Sequence, residues 1–144
     1  MSTELQAAGH ETATIRAFVV PEKQKRLLGF LAKPKTRKRF VQELSHFRLL
    51  DQRFVIPVAW NSIQISDSGQ PVHGIANICR QLRLKGAGTT CWVISENEDF
   101  DGREMDLESA IGKAIDGQTT TILSCIPGKL ALFVGETQTL FLAR

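Results

Sequence analysis

The sequence predicts an α+β domain: a mixed sheet of about five strands with a βαβ crossover and C-terminal antiparallel hairpins, its helices packed on at least one face. Three observations lead there. The second half holds four short apolar runs, "TTCWVIS", "TTTILSC", "LALFV" and "TLFLA", each closed by turn-forming residues. The first half repeats apolar residues at helical spacing instead. Between the first two runs lies one amphipathic stretch, and strand, helix, strand in that order implies two parallel strands joined by a crossover.

Taken in order, "MSTELQAAGHET" is polar and aperiodic and predicts a disordered tail over residues 1–12, with a single domain over 13–144. "ATIRAFVV" is rich in β-branched residues and stops at Pro21, which predicts a first strand. Pro21 suits the first position of a helix, where its missing N–H is no loss. That helix carries Leu27, Leu28 and Leu31 and ends before Pro34. A second helix restarts through "KTRKRFVQELSHF" with Phe40, Leu44 and Phe47 on one stripe, so the two make a hairpin with a basic elbow. Residues 49–71 mix apolar pieces with Pro57 and an "SDSGQP" turn, which predicts loop with one short strand. Ile75, Ile78, Cys79 and Leu82 then mark a third helix that Gly86 is placed to cap. "TTCWVIS" reads as a strand buried on both faces, and a helix is expected from about Asp106 to Ile115. "IPGK" and "GETQ" turn the last strands into hairpins.

A chain of 144 residues with 42% apolar composition can bury a core without staples. Its net charge of +3 says little by itself, but the charges are sorted along the chain. Residues 22–39 hold eight basic side chains and one acid, while residues 96–108 hold seven acids and only Arg103. Cys79, Cys91 and Cys125 lie in or beside apolar runs without CxxC pairing, which suits reduced thiols in a cytoplasmic protein. No apolar stretch approaches the roughly 18 residues of a membrane span, so no membrane partner is expected.

The acidic segment "ENEDFDGREMDLES" has the spacing of a calcium loop of the EF-hand kind. Counted from Asn97, positions 1, 3, 5 and 12 are Asn97, Asp99, Asp101 and Glu108, with Gly102 at position 6. A hard cation, calcium or magnesium, is the cofactor such a loop would hold. Against it stand Asn97 in place of the usual aspartate, Glu104 where an apolar residue belongs, and a strand in place of the preceding helix. The same residues also read as a solvated turn at Asp101–Gly102 followed by a helix that Asp106 caps, and this is the preferred reading.

Other signals are weaker. "KGAGTT" resembles a phosphate loop in composition, but its order is helix, glycines, strand, the reverse of what such a loop needs. Ser124 and Cys125 end a strand, and His46 or His73 is a conceivable base for either; buried core residues are the expected alternative. No zinc-ligand spacing exists. The basic elbow offers Lys33, Lys35, Arg37, Lys38 and Arg39 as an anion-binding surface. Alternatively the two charged poles meet, within one chain or between two copies as a homodimer. The sequence therefore predicts a small non-enzymatic cytoplasmic binding or regulatory domain whose basic elbow contacts nucleic acid, another polyanion or an acidic protein surface. The alternative is a divalent-cation-dependent enzyme or calcium-binding module centred on residues 97–108.

Overall fold

A computed structural model describes residues 8–58, 74–117, 119–135 and 138–144. Its centre is a six-stranded antiparallel sheet in the order β1-β6-β5-β4-β2-β3. The strands are β1 (Val55–Pro57), β2 (Thr90–Ser95), β3 (Arg103–Asp106), β4 (Thr121–Ile126), β5 (Leu130–Val134) and β6 (Thr139–Ala143). The helices are α1 (Ala13–Phe18), α2 (Pro21–Leu31), α3 (Arg37–Leu44), α4 (Gly74–Leu84) and α5 (Leu107–Gly117).

Alternation along the strands splits the core in two. Trp92, Ile94, Ile122, Ala131, Phe133, Leu140 and Leu142 face one side, where α1, α2 and α3 cover them with Ile15, Phe18, Leu27, Phe40 and Leu44. Cys91, Val93, Leu123, Leu130, Leu132, Val134 and Phe141 face the other, under Ile78 and Leu82 of α4 and Leu107, Ala110, Ile111 and Ala114 of α5. An antiparallel sheet usually leaves one face wet and shows it as alternation. With helices on both sides, these strands instead read as unbroken apolar runs.

The α+β class and the C-terminal hairpins hold, with one rearrangement. β2 and β4 are adjacent but antiparallel, pairing Trp92 with Ser124 and Ile94 with Ile122. The chain reverses through β3 before entering α5, because the end of the acidic segment pairs back along β2, Val93 with Arg103 through Thr90 with Asp106. The helical crossover therefore joins β3 to β4, two parallel strands with β2 between them. β3 is a strand that was not expected, and with the one at residues 55–57 and the four late strands it brings the sheet to six.

The expected strand at residues 13–20 is a helix instead. Ile15 and Phe18 reach the core at 0% and 1% exposure, and Glu11 and Thr14 complete the same face, also buried. Residues 8–12, expected to be part of a disordered tail, form a π-helical turn leading into α1. Thr14 Oγ1 donates to the His10 carbonyl at 2.6 Å, tying the turn to the helix. Pro21 opens α2 as expected. Gly86, at φ +112°, ends α4: its N–H bonds the Arg83 carbonyl and the Ala87 N–H the Leu82 carbonyl, the paired bonds of a Schellman cap. His73 and the whole "SDSGQP" turn, residues 66–71, lie outside the described residues.

Candidate functional site

The elbow is built by two short-range constraints. α2 stops at Leu31, and Pro34 opens a single 3-10 turn through Thr36. The Thr36 hydroxyl donates to the carbonyls of Phe30 and Lys33, closing the turn against the end of α2. Lys33, Lys35, Lys38 and Arg39 are exposed; Arg37 is half-buried.

Helical spacing distributes these side chains to two clefts on either side of α3. Lys35, Lys38 and Gln42 follow one stripe and line a cleft of about 500 Å³ whose far wall is the β2–β3 turn, with Ser95, Glu96 and Glu98. Arg39, Gln42 or Glu43, and His46 follow the adjacent stripe and line a cleft of about 570 Å³ together with Arg26 and Arg48. Gln42 borders both. Lys33 borders neither.

Arg37 turns inward and joins the two poles. Its Nε lies 3.1 Å from Asp101 Oδ2 and its Nη2 2.8 Å from Asp101 Oδ1, a bidentate pair, while Nη1 bonds Glu11 Oε1. Glu11 is 1% exposed and accepts a second bond from Trp92 Nε1 at 2.9 Å. Burial works against the Arg37 charge, but the hydrogen bonds to Asp101 and Glu11 outweigh it and hold the guanidinium above its ordinary pKa.

The four residues of the calcium spacing do not converge. Asp101 is committed to Arg37 and to the Ser95 N–H at 2.9 Å. Asn97 Oδ1 accepts from the Asp99 N–H at 3.0 Å, an Asx turn that shapes the loop by itself. Glu108 stands in the first turn of α5, which begins where Asp106 pairs with Thr90, at the opposite end of β2 from Asn97. The intervening four residues of β3 span roughly 13 Å at strand rise. Among the described residues, no three His, Cys, Asp or Glu side chains come together in a way that would hold a metal ion. Asp106 does cap α5, accepting from the Ser109 N–H at 3.1 Å.

The partner of Ser124 is His10, a residue the sequence assigned to the tail. Ser124 Oγ and His10 Nδ1 are 2.7 Å apart, and the imidazole lies nearly parallel to the Trp92 ring. Trp92 pairs with Ser124 on one side and Glu104 on the other, so His10 covers a cross-strand row on the α1 face. Burial lowers the His10 pKa, opposed by the carboxylates of Glu104 and Glu11. Ser124 is 1% exposed and borders neither cleft, so the pair anchors the N-terminal turn rather than presenting a nucleophile. The three cysteines are free thiols. Burial raises the pKa of each, that of Cys125 to about 12. A thiol so disfavoured as thiolate is a poor nucleophile. His46 lines the second cleft instead of approaching Ser124.

Comparison with protein-family models, curated proteins and solved structures finds no match to this chain. No helix among the described residues is long and apolar enough to cross a membrane.

Proposed function

We propose that the chain is a binding domain for a phosphodiester polyanion, with nucleic acid as the partner and the cleft beside α3 as its contact surface. The observation that carries this reading is the lining of the 570 Å³ cleft: Arg26, Arg39, Arg48 and His46 against a single acid, Glu43. Glu43 is already paired with Arg26 at 2.9 Å. Arg39 and Arg48 are exposed and have no ion pair among the described residues, so two guanidiniums share one concavity without a counter-charge.

The surroundings support the same choice. Residues 21–50 carry nine basic and two acidic side chains, a net +7 in a chain whose total is +3. Lys23, Lys25, Lys33, Lys35 and Lys38 are all exposed on this unit. Guanidiniums offer a planar fork that matches phosphate oxygens, and neighbouring lysines extend the field over several phosphates. Phe40, a candidate for stacking on a base, is fully buried, so contacts of this surface are to the backbone rather than to bases.

Arg39→Glu with Arg48→Glu tests the assignment by fluorescence anisotropy on a labelled oligonucleotide. Affinity should fall at least tenfold, while Arg80→Glu with Arg83→Glu on α4, across the sheet, leaves it within twofold. Equal losses from the two pairs would mean nonspecific attraction to net charge, and no loss from the first would remove the cleft from the interface.

A further inference from the structure

We propose that the other cleft, between the basic elbow and the β2–β3 turn, binds a small zwitterion of the free amino acid or dipeptide class. It is a separate cleft from the one lined by Arg39 and Arg48: the two share Gln42, but none of the charged side chains that line them.

Its size and the arrangement of its walls both point to such a ligand. At about 500 Å³ the cleft falls within the range of small-molecule sites. One wall carries the ammonium groups of Lys35 and Lys38, the other the carboxylates of Glu96 and Glu98, all exposed. Val41, 3% exposed, adds an apolar surface, and the Gln42 amide adds a neutral donor and acceptor. An anion alone would be drawn to the lysines and repelled by the glutamates; a cation alone would meet the reverse. A molecule bearing both charges is attracted at each end.

The walls do not neutralise each other. Among the described residues no ion pair joins Lys35 or Lys38 to Glu96 or Glu98, although all four line one cleft. The pair that does cross from wall to wall is Arg37–Asp101, and it is anchored at both ends, by Glu11 on the arginine and the Ser95 N–H on the aspartate. It ties α3 to the turn and so fixes the two walls relative to each other. A gap fixed in advance spares the ligand the cost of ordering its own site.

The test is a titration of the full-length, isotope-labelled protein followed by amide chemical shifts. Glycylglycine is the probe, with acetate and ethylammonium as singly charged controls. For a ligand of about nine heavy atoms the expected dissociation constant is about 1 mM. Saturable shifts at residues 35–42 and 95–101 are expected with glycylglycine, at least tenfold weaker with either control. Lys35→Gln with Lys38→Gln, and separately Glu96→Gln with Glu98→Gln, should each weaken binding at least tenfold with the rest of the spectrum unchanged. Absence of saturable shifts in the wild type overturns the proposal. So does acetate binding that equals glycylglycine and survives loss of both glutamates, which would make the cleft a plain anion site.

Discussion

Arg37 and Asp101, 64 positions apart in the chain, meet side on, with two nitrogen–oxygen contacts of 3.1 and 2.8 Å. Each belongs to one of the oppositely charged segments, so the poles of the sequence are neighbours in the fold. The contact takes one charge from each pole and leaves Lys33, Lys35, Lys38 and Arg39 on one side, and Glu96, Glu98 and Asp99 on the other, at the surface.

Removing the arginine should cost more than a surface pair would. Arg37→Ala leaves the Glu11 carboxylate, 1% exposed, with Trp92 Nε1 as its remaining partner. Breaking a buried pair from one side costs about 3–5 kcal/mol, whereas replacing both members with apolar groups is often nearly neutral. Urea denaturation should show a loss of about 3 kcal/mol for Arg37→Ala and recovery of much of it in Glu11→Leu with Arg37→Met. A loss below about 1 kcal/mol would place the pair among ordinary surface contacts.

His10 makes stability pH-dependent in a defined direction. Its folded pKa lies below the ordinary 6.5, so between the two values the unfolded chain binds more protons than the native one. Stability then rises with pH through that window and falls as acid protonates the half-buried ring, moderated by the carboxylates of Glu104 and Glu11. Denaturation midpoints for the wild type and His10→Gln, compared from pH 7.5 to 5, should show the steeper acid decline in the wild type. Parallel curves would mean that the imidazole titrates as freely in the fold as outside it.

The thiols should be silent in the native state. With Cys125 raised to about 12 and Cys79 and Cys91 also raised by burial, the thiolate fraction of Cys125 at pH 8 is about 10⁻⁴. Alkylation of Cys125 by iodoacetamide should run about a thousandfold slower in buffer than in denaturant, with Cys79 and Cys91 slowed in the same direction. Rapid native alkylation of Cys125 would return it to the list of reactive groups.

Asp106 earns its place as a helix cap, so Asp106→Ala should cost about 1 kcal/mol and Glu108→Ala less than half of that. Because Glu108 stands at the far end of β2 from Asn97, millimolar calcium should leave the melting temperature of both variants and of the wild type where it was. A calcium-dependent rise in the wild type that Asp99→Ala with Asp101→Ala abolishes would restore the loop as a cation site.

What the sequence made legible follows from how local each signal was. β2, β4, β5 and β6 each carry their own apolar run and turn, and α2, α4 and α5 their own end signals in Pro21, Gly86 and Asp106, so they could be placed without tertiary information. α1 could not: the β-branched residues of "ATIRAFVV" suit a strand, and its helical face includes Glu11, a charge that breaks the hydrophobic pattern until Arg37 and Trp92 are seen to satisfy it. β3, "REMD", contains no β-branched residue and is a strand because an edge of β2 is available to pair with. The charged poles were visible as composition. The division of the elbow into two stripes follows helical spacing, but the walls that turn those stripes into clefts, the contact between the poles and the His10–Ser124 bond depend on long-range placement.

The most direct measurement is the salt dependence of oligonucleotide binding by the unmodified protein. Arg39, Arg48 and two neighbouring exposed lysines engaging about four phosphates predict a slope of log K against log salt of about −3.5 on duplex DNA, reduced by about 2 when Arg39 and Arg48 are neutralised. An affinity indifferent to salt, or a slope unchanged by loss of the two arginines, would contradict a polyanion-binding role for this face of α3.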